Sequence, residues 1–385
     1  MANAPARTLK YAPHLAMGCV GYVTFAYAAV PDVLMATYDV GFTAVGLLMS
    51  AALVSFVLVQ VPASHLVARF ATTRLLFGAV VFHAIFAVAL DFASSYETLL
   101  VLRACWGLAG GFVLSVGATH IARLYAGTSA THHQGVFGGM LTFGGAIGFA
   151  AAPTLIELGL LHSPGALLSV PALVACWRER HDAQTAPSGE GPRGTLSSVL
   201  SPPVVLASLC YIAIISSYIT LSTFITAFAA DLNVTGPLNV AVLLTATAGR
   251  ITGGTVVWRW SLGDPWFIGG ATAVAAVCFG ALAVVAPSPL LLILPVVAML
   301  AVSVPFGAVF NVTAGATSSE GSAIAVVVAA GNVAALILPA VTGALRDATG
   351  EYASGFVLLA ALNLVALGAA TLLGTKQFSP QVQHS

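Results

Sequence analysis

The stretch "PVVLASLCYIAIISSYITLSTFITAFA", residues 203–229, decides the class of fold, because it contains no Asp, Glu, Lys or Arg over its whole length. A helix needs about 20 predominantly apolar residues to cross the hydrocarbon core of a bilayer. Similar apolar runs recur along almost the entire chain. The sequence therefore predicts a protein built from several membrane-spanning helices.

The composition supports this class. Of the 385 residues, 59% are hydrophobic and 7% are charged, whereas soluble domains carry about 25% charged residues. The formal net charge is zero, which gives no reason to expect a nucleic-acid partner. The five cysteines lie within or at the ends of apolar runs and show no metal-ligand spacing, so we expect no metal and no other cofactor.

Polar residues divide the chain into twelve predicted spans. The first six lie at about 11–31, 43–66, 74–92, 97–122, 134–157 and 163–177. The second six lie at about 203–229, 238–258, 266–286, 289–314, 321–345 and 354–374. The long polar segment between the two sets predicts an N-terminal half at 1–177 and a C-terminal half at 203–385, joined by a linker at 178–202.

Basic residues fall almost entirely on one side of the predicted membrane. With twelve spans, both termini share that side, and its basic residues are Arg7, Lys10, Arg69, Arg74, Arg123, Arg178, Arg180, Arg193, Arg259 and Lys376. The loops of the opposite side hold only Arg346. Because cytoplasmic loops carry an excess of Lys and Arg, we expect a multi-pass protein of the cell membrane with both termini and the linker in the cytoplasm.

The two halves also share short segments. The second span ends in "SHLVARF", residues 64–70, and the eighth span ends in "GTVVWRW", residues 254–260. Arg69 and Arg259 are therefore equivalent positions, and the same offset places Gln60 opposite Arg250. Parallel six-helix halves related by an axis along the membrane normal are a known plan of secondary transporters.

With these repeats, the chain resembles the major facilitator superfamily over nearly its full length. The segment "SHLVARFATTR", residues 64–74, matches the family's loop signature at Leu66, Arg69, Phe70 and Arg74. Arg103 and Gly107 match its helix-4 signature. The Gly-rich stretch at 138–153 and the segment "GNVAALILPAVTGALRDATG" at 331–350 resemble its helices 5 and 11.

The resemblance implies an all-α membrane fold with twelve transmembrane helices in two six-helix pseudo-repeat halves, and transport by alternating access rather than an enzyme activity. It also implies a cytoplasmic latch at the loop signature. The candidate gating residues are then Arg69, Arg74, Arg259 and Gly254. The acidic residue of this signature is replaced by Ala68 in the first copy and by Trp258 in the second.

The segment "AGRITGG", residues 248–254, places a charge inside the membrane. Arg250 lies about 18 Å from the outer end of the eighth span, at a rise of about 1.5 Å per residue. A charged residue at this depth costs about 2.5–3.5 kcal/mol on insertion scales. Such residues are therefore found where they pair with another group or serve a function. The acidic residues near the spans all lie at span ends, so Arg250 is the first candidate to bind a negative charge on a substrate.

Arg250 also has a structural interpretation, in which it braces the eighth span against polar groups of neighbouring spans. Asn332 is the best partner at a similar depth, and it is a candidate substrate contact as well. The glycines at 253 and 254 would let a neighbouring helix approach closely beside the arginine.

This chain is similar to two types of anion porter in the superfamily, the nitrate/nitrite type and the oxalate/formate type. Both types carry an Arg in helix 8. In the nitrate/nitrite type a Gly pair follows it, as in "RITGG" here. That type has a second Arg in helix 2, whereas this chain has Gln60 at the equivalent position. A Gln–Arg pair suits a monoanion better than a dianion, so Gln60 is a candidate substrate contact.

Several other residues are candidates for the transport path. Tyr22 and Tyr27 in the first span and Tyr218 in the seventh are candidate cavity-lining residues. Arg103 is expected to pair with Asp32 or to act in a proton relay near the outer gate. His83 and His120 are expected to couple protons, because histidine titrates near neutral pH, or to be packed hydrogen-bonding groups.

These patterns predict a secondary-active or facilitative transporter of a small monoanion or carboxylate, acting as a monomer whose partners are its substrate and the lipid bilayer. The alternative is an exporter of neutral or hydrophobic compounds, of the drug-efflux type, in which Arg250 is structural. A membrane enzyme or sensor is disfavoured, because the sequence has no nucleotide-binding loop and no H-E-x-x-H motif.

Overall fold

The computed structural model describes residues 10–125, 127–180, 201–234, 237–260, 263–285, 288–316 and 320–375. Within these ranges every regular element is a helix. Most of the linker predicted at 178–202 and the tail after residue 375 lie outside the described residues.

The helices follow the predicted spans closely. The N-terminal half contains α1 (Ala12–Phe25), α2 (Pro31–Tyr38), α3 (Phe42–Leu58), α4 (Gln60–Arg69), α5 (Thr72–Leu90), α6 (Tyr96–Leu124), α7 (Gly127–Glu157) and α8 (Pro164–Arg178). The C-terminal half contains α9 (Pro202–Asp231), α10 (Leu238–Trp260), α11 (Asp264–Val284), α12 (Ile293–Ser303), α13 (Phe306–Gly315), α14 (Glu320–Thr349) and α15 (Ala353–Thr375). Short 3₁₀ turns occupy Ala26–Ala29 and Pro289–Leu292.

Nine helical stretches among the described residues are long and apolar enough to cross a membrane, or ten if the bent pair α1–α2 is one span. In this set α3 and α4 form one stretch, as do α12 and α13. The sequence prediction of an all-helical membrane protein is therefore confirmed. Helices α8 and α10 are not in the set, so the count of twelve spans stays a prediction.

The first span differs from the straight helix expected at 11–31. Helix α1 ends at Phe25, a 3₁₀ turn follows, and α2 starts at Pro31 with a bend of 70°. Pro31 has no N–H to donate and disfavours helical backbone at the residue before it, which accounts for the break. The break leaves the last carbonyl groups of α1 free for other donors.

The tenth predicted span is also broken. Helix α12 ends at Ser303 and α13 starts at Phe306, after Val304 and Pro305. A proline inside a helix removes one backbone hydrogen bond and clashes with the preceding turn. The break places Phe306 at the start of α13, which positions its ring for the site described below.

The helices pack as two sets with two main contacts between them. In the N-terminal half, α1 packs on α7, α3 on α6, and α5 on α6 and α8. In the C-terminal half, α11 packs on α15, α9 on α14 and α15, and α10 on α12. Helix α3 packs on α14, and α7 packs on α10, so these two pairs join the halves.

The α3–α14 contact depends on small residues. A Cβ atom added to Gly46 would lie 2.3 Å from the carbonyl oxygen of Pro339. No side chain fits in that space, so the glycine allows the two backbones to touch. Ser50, one turn along α3, donates a hydrogen bond to the carbonyl of Leu336 and closes the same contact.

Asp91, directly after α5, caps the N-terminus of α8. Its Oδ1 accepts from the backbone N–H of His162 at 2.8 Å and from His162 Nδ1 at 2.9 Å, and its Oδ2 accepts from the backbone N–H of Ser163 at 2.7 Å. Burial by itself would raise the pKa of Asp91, but these hydrogen bonds outweigh it and hold the pKa below its usual value. Burial also lowers the pKa of His162, so a neutral imidazole donates to a charged carboxylate.

We expect Asp91→Asn to lower the free energy of unfolding by about 1–3 kcal/mol at neutral pH, because hydrogen bonds to a buried charge are lost. Since the folded-state pKa of Asp91 is lowered, its contribution is fully present above the unfolded value of about 3.9 and is lost as the pH falls through the folded value. Thermal unfolding in detergent at pH 7 measures the first effect, and thermal unfolding at a series of pH values below about 3.9 measures the second.

The exposed Glu157 provides the matched control for this experiment, because Glu157→Gln makes the same chemical change on a surface side chain. We expect that variant to stay within about 0.5 kcal/mol of the wild type. Equal stability of Asp91→Asn and wild type at pH 7 would contradict the capping role.

Candidate functional site

Arg250 lies in the middle of α10, where that helix contacts both halves. Only 4% of the residue is exposed. The backbone at Val304, in the break between α12 and α13, approaches so closely that a Cβ atom on Gly253 would lie 2.0 Å from its carbonyl oxygen. The small residues beside Arg250 thus allow the close approach that the sequence predicts.

The guanidinium of Arg250 is only partly satisfied. Its Nη1 donates to the carbonyl of Gly138 on α7 at 3.0 Å. Its Nε has no hydrogen-bond partner, and no ion pair joins Arg250 to an acidic residue in the described part of the chain. An arginine carries five N–H donors, and the donor on Nε is buried without an acceptor among the described residues.

Aromatic rings cover the arginine on two sides. Its Cζ lies 4.3 Å from the ring centroid of Tyr218 on α9 and 4.7 Å from that of Phe306 on α13. Stacking of a cation on an aromatic face contributes about 0.5–2 kcal/mol and recovers part of the cost of burial. Stacking supplies no hydrogen-bond acceptor, so the unpaired N–H donor of Arg250 remains available.

Further rings extend the aromatic wall away from Arg250. The ring centroid of Tyr211 lies 6.1 Å from that of Phe306 and 5.4 Å from that of Phe310. The centroids of Phe306 and Phe310 are 4.9 Å apart. Helices α9 and α13 thus present three connected rings beside the charge.

Two more polar side chains in this region have an atom without a hydrogen-bond partner among the described residues. The hydroxyl of the fully buried Tyr218 and the Nδ2 of Asn332, which is 5% exposed, lack hydrogen-bond partners. A Cβ atom on Gly331 would lie 2.3 Å from Tyr211 Cδ1, so this part of α14 packs on the aromatic wall. Asn332 is not the hydrogen-bond partner of Arg250, which donates to Gly138 instead.

Arg103 is buried as deeply but is fully engaged. Its three nitrogens donate to backbone carbonyls: Nε to Leu48 at 3.3 Å, Nη1 to Val23 at 2.6 Å, and Nη2 to Thr24. Its Cζ also lies 4.6 Å from the ring centroid of Tyr27. Arg103 therefore caps the broken C-terminal end of α1 and ties it to α3.

The ion pair expected between Arg103 and Asp32 is not formed. Asp32 lies in the first turn of α2 and is exposed, whereas Arg103 is 1% exposed. The chain turns by 70° between α1 and α2, which carries Asp32 away from the helix end that Arg103 caps.

Other predicted substrate contacts lie within the N-terminal half. The amide of Gln60 donates to the carbonyl of Phe56 at 3.0 Å and accepts from the hydroxyl of Ser115. The hydroxyl of Tyr22 donates to the carbonyl of Leu161 at 3.1 Å. These partners occupy both side chains, and no described contact joins either of them, or Tyr27, to Arg250.

The two predicted proton-coupling histidines have different surroundings. His83 Nδ1 accepts from the indole N–H of Trp106 at 2.9 Å, deep in the N-terminal half. His120 lies in the last turns of α6, hydrogen bonded through Nδ1 to the hydroxyl of Thr72 at 2.8 Å. Its Nε2 lies 3.5 Å from Oε2 of Glu179.

The residues of the predicted cytoplasmic latch are exposed or outside the described side chains. Arg69 ends α4, Arg74 lies in the first turn of α5, and both are exposed. The side chains at Gly254 and Arg259 are not described, although both positions lie within α10.

A different contact joins the halves at the end of the molecule opposite to Arg69 and Arg74. The carboxylate of Asp347, near the end of α14, accepts from the backbone N–H groups of Phe42 at 2.9 Å and Thr43 at 2.8 Å, and from the Thr43 hydroxyl. Helix α3 starts after Gly41, which supplies no side-chain cap. An acid of the C-terminal half thus caps a helix of the N-terminal half.

The neighbouring Arg346 reinforces this end. It makes two hydrogen bonds to the carboxylate of Asp231, at 2.8 and 3.0 Å, and its Cζ lies 5.2 Å from the ring centroid of Phe42. We call Asp347, Arg346 and their partners Asp231, Phe42 and Thr43 the outer latch, because the sequence predicts that they lie on the outer side of the membrane.

Sequence reasoning missed Phe306, Asp347 and Glu179 as functional candidates. Phe306 starts α13, directly after Pro305, and its ring lies over Arg250, a contact for which the sequence gives no signal. Asp347 could have been suspected, since it adjoins the only basic residue of the outer loops. Glu179 lies in the predicted linker, and nothing in the sequence around it indicates that its side chain contacts the start of α1.

The family model described as Major Facilitator Superfamily matches residues 14–320 of the chain. This match covers most of the sequence and confirms the resemblance found in its motifs.

One curated relative is a probable 4-methylmuconolactone transporter from Cupriavidus pinatubonensis. It is 30% identical over 170 residues, which are 41% of this chain and 39% of the relative. The chain thus matches about two fifths of that relative's length.

Two solved structures of a bacterial homologue of the human lysosomal transporter Spinster share the fold. Against the inward-facing, unoccupied conformation the TM-score is 0.71 at 16% identity, over 94% of this chain and 96% of the other. Against the inward-facing, occupied conformation the TM-score is 0.69 at 16% identity, over 97% and 98%.

We expect Arg103→Leu to lower the free energy of unfolding by about 3 kcal/mol or more, because several backbone carbonyls at the end of α1 lose their donors inside the protein. Arg103→Lys restores a charge but replaces the planar fork by one ammonium group, so it recovers only part of the stability. Thermal unfolding in detergent measures both variants.

Arg74→Leu, at an exposed arginine, is the control for lost charge alone. A variant at Arg103 as stable as that control would contradict the capping role.

Proposed function

Because the chain belongs to the major facilitator superfamily, we propose that it moves a small monoanion or carboxylate across the membrane by alternating access, with Arg250 at its central binding site. The protein is a transporter and not an enzyme. The alternative, an exporter of neutral or hydrophobic compounds, requires Arg250 to be purely structural.

The single observation that carries this proposal is the contrast between the two buried arginines. Arg103 donates from all three of its nitrogens to backbone carbonyls, as a structural arginine should. Among the described residues, Arg250 makes one hydrogen bond, through Nη1, and its Nε has no partner. A buried donor left unsatisfied costs about 1–3 kcal/mol, and an anionic cargo would remove that cost.

The surroundings of Arg250 favour a planar anion with an organic body. A guanidinium presents parallel N–H groups that match the two oxygens of a carboxylate. The free hydroxyl of Tyr218 and amide of Asn332 offer further donors, and the rings of Tyr211, Phe306 and Phe310 offer flat apolar surface. The substrate named for the relative, 4-methylmuconolactone, supports a small organic cargo of this kind.

The proposed architecture has twelve spans, with six-helix halves at 1–177 and 203–385 and the linker at 178–202. We place both termini and the linker in the cytoplasm of a protein that acts as a monomer. The asymmetry of Lys and Arg between the loops supports this orientation. The pairing of α3 with α14 and of α7 with α10 supports two halves that meet around the central arginine.

Alternating access requires a contact that closes one side and can open, and we assign the outer latch to this role. Its hydrogen bonds join the two halves on the side opposite the predicted linker. A latched outer side is the arrangement of an inward-facing transporter, the conformation named for the two related structures. Opening the latch would uncap α3 and admit substrate from outside.

We expect Arg250→Lys to weaken carboxylate binding about 30–150-fold, because losing charged hydrogen bonds costs about 2–3 kcal/mol. Uptake into proteoliposomes should then lose its saturable component. A panel of cyclic and acyclic monocarboxylates, nitrate, oxalate and a lipophilic cation identifies the cargo class.

The control for this measurement is Arg178→Lys. Arg178 is exposed at the end of α8 and makes no described contact with the central site. We expect it to transport like the wild type. Unchanged carboxylate uptake by Arg250→Lys, with saturable uptake of the lipophilic cation, would favour the exporter instead.

We expect Asp347→Ala to shift the population towards an outward-open conformation, because loss of a helix cap costs about 0.5–2 kcal/mol. Double electron–electron resonance between spin labels on Asp39→Cys and Glu351→Cys, both at exposed outer positions, should report longer distances.

In the same labelled background, Glu97→Gln removes an exposed acid on the outer side without touching the latch. Its distance distribution should match that of the parent. An unchanged distribution for Asp347→Ala would rule out the latch as the element that holds the outer side closed.

A further inference from the structure

A cluster of titratable groups lies at the end of the N-terminal half from which the linker departs. His120, on the last turns of α6, is 1% exposed, and Glu179, just after α8, is 8% exposed. His14, on the first turn of α1, is 5% exposed. The central site uses none of them.

Glu179 holds the start of α1. Its Oε1 accepts from the backbone N–H of Tyr11 at 3.0 Å and of Ala12 at 3.2 Å. A carboxylate at this position satisfies free amides and interacts favourably with the positive end of the helix dipole. Its Oε2 is buried and has no hydrogen-bond partner.

The free oxygen of Glu179 faces a ring nitrogen that is also free. His120 Nε2 lies 3.5 Å from Glu179 Oε2 and makes no hydrogen bond. This distance exceeds the usual 2.7–3.2 Å of an N–H···O hydrogen bond by a few tenths of an ångström. Two buried polar atoms thus approach each other without completing the contact, and one added proton turns it into an ion pair.

Thr72 allows His120 to exist in both protonation states. Its hydroxyl lies 2.8 Å from His120 Nδ1. A hydroxyl can donate to a neutral imidazole nitrogen or accept from a protonated one by rotating its hydrogen. No rearrangement of heavy atoms is therefore needed when a proton arrives.

From this geometry we infer that His120 and Glu179 form a cytoplasmic proton-binding site that regulates transport. The site lies about 36 Å along α6 from the outer end of that helix at Tyr96, at about 1.5 Å per residue. A proton from outside would have to cross the membrane to reach it, so the site senses cytoplasmic pH and does not carry a co-transported proton. The inference rests on the proposed orientation and not on the nature of the cargo.

Proton binding ties three elements together. The protonated imidazole of His120 pairs with Glu179, which keeps its hydrogen bonds to the start of α1. Helices α1, α6 and α8 are then fixed to one another beside the residues that lead into the linker. The added ionic contact stiffens this end of the half, so transport slows as the cytoplasm becomes acidic.

Other titratable groups surround the pair on every element packed against it. The rings of His14 and His133 lie 5.5 Å apart between centroids, and that of His133 stacks on Tyr125 at 3.7 Å. Further titratable groups towards the same ends of these elements include Lys10, Arg74, Arg123, His132, Cys176 and Arg178.

The test is uptake into oriented proteoliposomes with the pH on the cytoplasmic side varied from 8 to 6 while the outer pH is fixed. Imidazole titrates in this range. We expect wild-type uptake to slow on acidification, because the added ion pair fixes α1, α6 and α8 to one another. His120→Gln and Glu179→Gln should both abolish the dependence, and Glu179→Gln keeps an oxygen that can cap α1.

His65→Gln, at an exposed histidine on α4, is the matched control and should keep the full dependence. The same pH step measured as a change in thermal unfolding checks proton binding without any cargo, so it separates failure of this site from failure of the proposed transport function. A dependence that survives in His120→Gln, or one that follows the outer pH, would overturn the proposal.

Discussion

A guanidinium group inside the hydrocarbon region must find hydrogen-bond acceptors, because it cannot lose its proton and each unmet donor costs free energy. Much of this molecule is arranged around two such groups. Arg103 takes its acceptors from the broken end of α1 and from α3, and so fixes three helices of the N-terminal half to one another. Arg250 takes one acceptor from α7 and lies between rings of α9 and α13, where the two halves meet.

Breaks in the helices make these arrangements possible. Pro31 ends the helical path after α1 and frees carbonyl groups that an unbroken helix would consume. Pro305 lies between α12 and α13, directly before the ring of Phe306 that covers Arg250. In both cases a proline lies next to the elements that a buried arginine contacts.

Three carboxylates serve a common purpose outside the central site. Asp91 caps α8, Glu179 caps α1, and Asp347 caps α3, in each case a helix that does not contain the acid. Free N–H groups at a helix start are costly where water is scarce, and a carboxylate satisfies them while complementing the helix dipole. Two of these caps lie within one half, whereas the cap of Asp347 joins the halves, so it is the one that a rocking motion must break.

The amino-acid sequence by itself determined the helical membrane class, the approximate bounds of the helices, the superfamily and the buried position of Arg250. These features follow from composition, from the lengths of apolar runs and from local motifs, which are properties of neighbouring residues. Only the tertiary structure decided that Arg103 bonds carbonyls instead of Asp32, that Gln60 bonds Ser115, and that Asp347 and Glu179 cap distant helices. The physical reason is that a hydrogen-bond partner is chosen by distance and direction in space. These partners lie 55 to 305 positions apart in the chain and meet only when the helices pack.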